Sequence, residues 1–311
     1  MKIVYMGTPG FAVAPLEALI DAGHEIVAVV TQPDKPKGRS GKMQMPPVKE
    51  CALQHGIEVF QPVKVKAPEA VEQLKKYGAD VYVVAAFGQI LSQEVLDIPR
   101  YGCLNIHASL LPGYRGCAPA NWVILNGEKE TGVTIMQLDA GVDTGDMLAK
   151  TVVPIEDEDT DISLEEKLSA AGSALIVEVL KDVEKGTLSP EKQPEETCFY
   201  AKMLTKSMGR IDWSKGADKI DRQVRGLYSW PGAYTSYDGK MLKVWKAVPV
   251  QGQTQTQAEA GCVEEVTKDA ILVSTGNGLL KLLEVQLEGK KRMAVKDFLL
   301  GCKIGKGEKL Q

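Results

Sequence analysis

The chain has 311 residues, of which 44% are hydrophobic and 25% are charged, and its formal net charge is −4. This composition is close to that of soluble globular proteins, so it argues against intrinsic disorder, a collagen-like chain or a membrane channel. The length exceeds what one hydrophobic core usually organises, which predicts two domains.

The first part of the chain alternates short apolar runs with helical patterns. A run at residues 2–6 ends at Gly7-Thr8-Pro9-Gly10, and a helical pattern follows it. The later strand-like runs lie at residues 26–30, 81–86, 104–107 and 133–138. Strands of this kind separated by helices are typical of a parallel sheet covered on both faces. A capping box at residues 163–166 (SLEE) then predicts a helix that begins after Ser163.

The second part of the chain shows a different pattern. Residues 186–198 are polar and lack periodicity, which predicts a linker. Short β-type runs follow at residues 234–237, 241–250, 261–266, 271–275 and 279–287. Closely spaced strands predict a small barrel. We therefore expect a first domain at residues 1–189, a linker at 190–206 and a second domain at 207–311.

The charge is unevenly spread between these parts. Residues 207–311 contain 17 Lys/Arg against 12 Asp/Glu, whereas residues 1–206 contain 20 against 29. Such asymmetry is expected when one part of a chain meets phosphates, although basic surface is also common on proteins that bind no polyanion. Four aromatic residues alternate along the second part's strands and are therefore expected in the barrel core rather than as base-stacking surfaces: Trp230, Tyr234, Tyr237 and Trp245.

The cysteines and the apolar segments bear on location. Six cysteines are scattered without a C-x-x-C pair, and the three histidines show no zinc-ligand spacing. No apolar stretch has the length of a membrane span, and the first run is shorter than a signal h-region. These features favour a cytoplasmic protein with reduced thiols and no metal.

The first candidate for chemistry is a nucleotide-binding loop. Gly7 and Gly10 follow the first strand, where the amides of a helix N-terminus attract phosphate. The dinucleotide fingerprint needs G-x-G-x-x-G and an acidic residue after the second strand, whereas Val30 is followed here by Thr31 and Gln32. This mismatch argues against an NAD enzyme.

Asn105 and His107 form the strongest candidate site. Alternation along a strand places both on one side, near the carboxyl end of a parallel strand, where ligands bind in open α/β sheets. The imidazole can exchange a proton near neutral pH, and the amide can donate a hydrogen bond to an oxyanion. A structural histidine is the alternative interpretation.

A second polar segment could complete this site. Residues 138–146 place three carboxylates among two glycines after another apolar strand. Calcium binding would require an EF-hand spacing that the segment lacks. A carboxylate from this loop, at Asp143, could face the histidine, although capping aspartates in a turn are an equally good interpretation. Leu110 and Leu111, next to Asn105 and His107, could receive a flat heteroaromatic ligand or simply anchor a loop.

Several motifs together resemble the folate-dependent formyltransferase family, and over the full length they resemble the branch that acts on methionyl-tRNA. They are Asn105-x-His107, the run SLLP-x-YRG at 109–116, and the run D-x-G-x-D-T-G at 139–145. The resemblance implies a Rossmann-like formyltransferase domain with a C-terminal OB-like β-barrel domain. It also implies transfer of a formyl group from 10-formyltetrahydrofolate to the α-amine of methionine on initiator tRNA, without a metal.

The same resemblance assigns site residues. It gives a catalytic triad of Asn105, His107 and Asp143 and a folate-binding stretch at Ser109, Leu110, Leu111 and Pro112. It places the acceptor-stem contacts on a basic loop at residues 34–42, with Arg39 at the critical position and Lys42 beside it, and adds Lys206 after the linker. The implied partner is initiator methionyl-tRNA, with no DNA, no membrane and no obligatory protein partner.

Three alternatives stay open on the sequence. A formyltransferase acting on an amino sugar and a 10-formyltetrahydrofolate hydrolase would keep the same triad, although the basic loop at residues 34–42 argues against both. A tRNA-binding module with an inactive catalytic scaffold is the third, and the intact triad argues against it.

Overall fold

The computed structural model describes residues 1–37, 41–194, 199–250, 252 and 258–311. Their contacts divide the chain into two compact units. Unit 1 comprises Met1–Pro119, Glu130–Pro154 and Glu165–Ala201, and unit 2 comprises Ala120–Lys129, Ile155–Leu164 and Lys202–Gln311. The domain boundaries that the sequence suggested remain predictions. None of the helices within these described ranges is long and apolar enough to cross a membrane.

The first part of the chain, to residue 201, alternates strands and helices. Its strands are β1 (Lys2–Gly7), β2 (Glu25–Val30), β3 (Lys35–Lys37), β4 (Lys42–Gln44), β5 (Val59–Phe60), β6 (Val81–Ala85), β7 (Cys103–His107), β8 (Arg115–Gly116), β9 (Glu130–Gln137), β10 (Met147–Pro154) and β11 (Tyr200–Ala201). Its helices are α1 (Val13–Asp21), α2 (Pro47–Gln54), α3 (Pro68–Lys76), α4 (Gln93–Leu96), α5 (Pro119–Asn126) and α6 (Asp161–Lys185).

Seven of these strands form one sheet in the order β10-β9-β7-β6-β1-β2-β5. The five strands from β5 to β7 are parallel, and every residue of β6 is buried, as expected for strands covered on both faces. The chain builds outward from β1 to β2 and β5, and then returns to β6 on the other side of β1. The crevice at the carboxyl ends of β1 and β6 is therefore the topological switch point, and β7 lies next to it.

The run at residues 133–138 does not extend the parallel part. It forms β9, which pairs antiparallel with β7, and β10 pairs antiparallel with β9. The chain leaves β7 at its carboxyl end and enters β9 from the same edge of the sheet. A parallel pairing would have required a crossover to the opposite edge.

Helix α6 begins before the predicted residue. Its first residue is Asp161, and the reciprocal hydrogen bonds of the capping box join Thr160 to Ser163. The Thr160 hydroxyl accepts from the Ser163 amide, and the Ser163 hydroxyl accepts from the Thr160 amide. The predicted cap at Ser163 was wrong because this serine is the third helical residue of an earlier capping box.

Unit 2 contains an antiparallel sheet. Its elements after residue 202 are α7 (Ala217–Gly226), β12 (Ala233–Tyr237), β13 (Lys240–Pro249), β14 (Val263–Val266), β15 (Ile271–Ser274), β16 (Leu279–Leu287), β17 (Met293–Ala294) and α8 (Val295–Phe298). The sheet has the order β12-β13-β16-β15-β14, with β17 also paired to β16. The predicted fold class, a Rossmann-like unit followed by a β unit, is confirmed.

The core of unit 2 is mainly aliphatic, and it also includes the aromatic residues Trp213 and Phe298. Leu242, Val244, Leu280, Leu282 and Val285 are buried at its centre. The four aromatic residues expected there are not buried: Trp230 is 46% exposed, and Tyr234, Tyr237 and Trp245 are partly exposed. The expectation that all four lie in the core was wrong: the partly buried Tyr237 packs against it, and aliphatic side chains of β13 and β16 occupy its centre.

Candidate active site

The candidate site is built on the carboxyl end of β7. Asn105 and His107 are two residues apart on this strand, so their side chains leave the same face about 7 Å apart. Asn105 pairs in register with Val84 of β6 and with Met136 of β9. Asn105 is partly exposed and His107 is 6% exposed. The sheet therefore fixes both side chains beside the switch point.

One hydrogen bond and one close contact orient the ring of His107. Its Nε2 lies 3.1 Å from the carbonyl oxygen of Tyr114. A carbonyl oxygen only accepts, so Nε2 carries a hydrogen, and in the neutral form of the ring the lone pair is then on Nδ1. Nδ1 lies 3.7 Å from Oδ1 of Asp143. Nδ1 therefore faces a carboxylate, which is one of the two interpretations that the sequence left open for Asp143.

Asp143 is held at this position by the backbone. Its φ angle is +54°, in the left-handed region that aspartate adopts more readily than most residues. Its Oδ2 accepts a hydrogen bond from the Gly116 amide at 2.8 Å. The other oxygen, Oδ1, faces His107. One carboxylate therefore contacts both the end of β7 and the backbone of β8.

The carboxylate of Asp139 and the backbone of Asp146 make bonds that close the loop. Oδ1 of Asp139 accepts hydrogen bonds from the Gly141 amide at 3.0 Å and from the Thr144 hydroxyl at 2.7 Å. The backbone carbonyl of Asp146 accepts from the Gln137 amide at 2.8 Å. These bonds close the turn, and Asp143 is the loop carboxylate turned toward His107.

The stretch predicted to bind folate, residues 109–112, contains two buried residues and two partly exposed ones. Ser109 is fully buried, and its hydroxyl donates to the Gly113 carbonyl at 2.7 Å. The buried Leu111 donates its amide to the Thr134 hydroxyl at 3.0 Å. Leu110 and Pro112 are partly exposed. The assignment of all four residues to folate binding stays a prediction, and the side chains with accessible surface are those of Leu110 and Pro112.

The predicted tRNA contacts are distributed over both units. Arg39 lies outside the described residues, and Lys42 begins β4 with its side chain outside the described part. Lys206 is exposed in a short 3-10 helix of unit 2, Lys206–Gly209. These three residues therefore also remain predictions.

Two backbone groups of the site were missed by the sequence reasoning. The Tyr114 carbonyl fixes the tautomer of His107, and the Gly116 amide orients Asp143. Backbone groups carry no residue-type signal, so the sequence pointed to this loop only through the run SLLP-x-YRG at residues 109–116.

Two models of protein families match the chain, one over each part. A model described as formyl transferase matches residues 1–180, and one described as formyl transferase, C-terminal domain, matches residues 203–303. The chain therefore belongs to the formyltransferase family, whose members are one-carbon group transferases. The family predicted from the motifs is confirmed.

Comparison with individual proteins shows which members of the family the chain resembles over its full length. The chain is 53% identical to a methionyl-tRNA formyltransferase of Agathobacter rectalis over 307 residues, which cover 99% of this chain and 98% of the relative. It is 49% identical to the protein of that name from Caldanaerobacter subterraneus over 308 residues, covering 99% of both chains. A solved N-formyltransferase from Helicobacter canadensis, in complex with folinic acid and dTDP-3-aminofucose, shares the fold with a TM-score of 0.67 at 21% identity. That match covers 91% of this chain and 99% of the solved one.

Proposed function

We propose that this enzyme transfers the formyl group of 10-formyltetrahydrofolate to the α-amino group of methionine on initiator methionyl-tRNA. The product is N-formylmethionyl-tRNA, which is used in translation initiation. The observation that carries the proposal is the convergence of His107 and Asp143, 3.7 Å apart, on the face of β7 that also presents Asn105. Full-length similarity to methionyl-tRNA formyltransferases supports the choice of acceptor.

The reaction needs an oxyanion donor and a proton acceptor. Attack of a neutral amine on the formyl carbon creates a tetrahedral centre that carries an oxyanion and an ammonium group. The Asn105 amide donates to the oxyanion, and Nδ1 of His107 accepts the amine proton. That proton then lies beside Oδ1 of Asp143, whose negative charge stabilises the imidazolium. The tetrahedral centre then collapses: the bond between the formyl carbon and N10 of the co-substrate breaks, the imidazolium of His107 returns its proton to N10, and tetrahydrofolate leaves without a covalent enzyme intermediate.

The loop at residues 109–113 is suited to hold a pterin-like ring next to these groups. Leu110 and Pro112 offer apolar surface, while the buried bonds of Ser109 and Leu111 keep the loop backbone fixed. A flat heteroaromatic ligand binds best against preformed apolar walls with a few polar groups nearby. We therefore keep 10-formyltetrahydrofolate as the formyl donor and assign its position to this loop.

Phosphate contacts supply the affinity for the tRNA. We assign these contacts to Arg39 and Lys42 of the basic loop and to Lys206, together with basic residues of the second unit. In this proposal neither DNA nor an obligatory protein partner takes part. Because charged initiator tRNA is used where ribosomes work, the reaction belongs to the cytoplasm.

One assay tests the proposal against its rivals. The protein is incubated with labelled 10-formyltetrahydrofolate and with methionyl-tRNA, free methionine or a nucleotide-linked amino sugar in separate reactions. We expect label on methionyl-tRNA alone. Label that appears only on a small molecule, release of formate without transfer, or binding of tRNA without any transfer would each contradict the proposal.

A further inference from the structure

Gln193 links two loops: residues 138–146, which contain Asp143, and residues 109–116, which end at Gly116. Its Nε2 donates to the backbone carbonyl of Asp143 at 2.9 Å and to that of Gly145 at 2.7 Å. Its Oε1 accepts from Nε of Arg115 at 2.9 Å. Because a guanidinium only donates and carbonyls only accept, this arrangement permits a single orientation of the amide. One side chain thus satisfies three groups of two different loops.

The chain around Gln193 makes further bonds to the same two loops. The amide and carbonyl of Glu191 pair reciprocally with those of Met147 at 2.8 Å, directly after the Asp143 loop. Tyr200 and Ala201 form β11, which pairs with β8 (Arg115–Gly116). The segments on both sides of Gln193 therefore contact the two loops that determine where the Asp143 carboxylate lies.

We infer that Gln193 is a positioning residue for catalysis, which acts through Asp143 on His107. The inference rests on the proposed function. Asp143 has a φ angle of +54°, a left-handed backbone conformation that contacts with neighbouring groups hold in place. The Gly116 amide holds its side chain and Gln193 holds its backbone carbonyl. With the carbonyl released, the peptide can rotate and carry the carboxylate away from Nδ1 of His107.

The test compares three variants of the full-length enzyme in the formylation assay. Gln193→Ala removes all three side-chain bonds, whereas Gln193→Glu keeps an acceptor for Arg115 and loses both donors to the loop carbonyls. Gln223→Ala is the matched control, because Gln223 also donates to two backbone carbonyls, those of Met208 and Arg210. We expect both Gln193 variants to lower kcat about 10- to 100-fold, with KM for methionyl-tRNA within about twofold of wild type. The control should keep the wild-type kcat.

A double-mutant cycle separates positioning from a general structural role. If Gln193 acts through Asp143, adding Gln193→Ala to Asp143→Asn should lower kcat no further than Asp143→Asn alone. Multiplied effects in the double variant, or wild-type kcat in a folded Gln193→Glu enzyme, would overturn the inference. Wild-type enzyme that fails to formylate methionyl-tRNA would instead contradict the proposed function, so the two failures are distinguishable.

Discussion

The polar side chains of the site are ordered by different parts of the structure. Asn105 and His107 share a face because a strand has a period of two, and this relation was readable in the sequence. Asp143 depends on contacts that no local pattern encodes, namely the Gly116 amide at 2.8 Å and a left-handed backbone. The sequence offered three acidic residues in the loop, and the fold turns Asp143 toward the histidine.

The proposed function assigns Asn105 the role of hydrogen-bond donor to the oxyanion. Asn105→Ala should lower kcat for formylation about 100-fold or more, because a well-placed donor contributes about 3–4 kcal/mol to transition-state stabilisation. Steady-state kinetics with methionyl-tRNA would measure the loss. Asn277→Ala, which removes an exposed amide of unit 2, is the control and should retain wild-type turnover. A fall of less than threefold for Asn105→Ala would remove this residue from catalysis.

Among the secondary-structure elements, the loop between β9 and β10 bears most directly on the site. Its turn is closed by the bonds of Asp139, and its final glycine lies against the end of β9. A Cβ atom at Gly145 would stand 1.8 Å from the Gln137 carbonyl oxygen. Close approach of two backbone segments, rather than a positive φ angle, is therefore the reason for glycine at this position.

Gly145→Ala should destabilise the protein and disturb Asp143. We expect a loss of about 1–3 kcal/mol in the free energy of unfolding, as for other overpacked sites, with a larger proportional loss in kcat than in tRNA affinity. Urea denaturation and the formylation assay would measure the two effects. Gly301→Ala is the control, because no atom lies within 4 Å of a Cβ there. Wild-type stability in Gly145→Ala would show that β9 yields easily at this contact.

For the whole molecule, the proposed function gives the uneven distribution of charge a role in binding tRNA. The excess of Lys/Arg after residue 206 includes Lys290 and Lys291, which are both exposed in the turn after β16. Other basic residues of unit 2 are already engaged: Arg225 forms an ion pair with Asp221 at 2.9 Å. Arg292 stacks over Tyr228 and Trp245 and pairs with Glu284. The free lysines are therefore the better candidates for phosphate contact.

Salt dependence can test this assignment. In the double variant Lys290→Glu, Lys291→Glu, KM for methionyl-tRNA should rise, and the slope of log KM against log salt should fall by about two. The matched control is Lys64→Glu, Lys66→Glu, which reverses two exposed lysines of unit 1. If both double variants change the slope equally, the effect comes from the net charge of the protein and not from contacts of Lys290 and Lys291 with phosphates.

Stability should also depend on the protonation of His24. Burial, together with the nearby amino group of Met1, lowers the pKa of this imidazole below its usual 6.5 in the folded protein. The unfolded chain therefore takes up the proton first as pH falls, and folded-state stability is lost below pH 6.5. We expect the free energy of unfolding to drop more between pH 7.5 and 5.5 in wild type than in His24→Gln. Equal drops in urea denaturation would contradict this.

The sequence predicts the α/β pattern of the first part, the β pattern of the second, and the placement of Asn105 and His107 on one face of a strand. These features follow from local periodicity, because a strand or helix imposes its repeat on neighbouring residues. It predicted a later start for α6, a parallel direction for β9 and a core position for four aromatic residues of unit 2, and the structure differs on each point. Those depend on which surfaces become covered when distant segments meet.

The approach of Asp143 to His107 depends instead on contacts between distant segments of the folded chain. Its carboxylate is placed by the amide of Gly116, and its carbonyl by Gln193, which lies 50 residues further along the chain. Such contacts join backbone groups that every residue possesses, so residue types alone cannot specify them. Their geometry exists only once the sheet has brought the loops together.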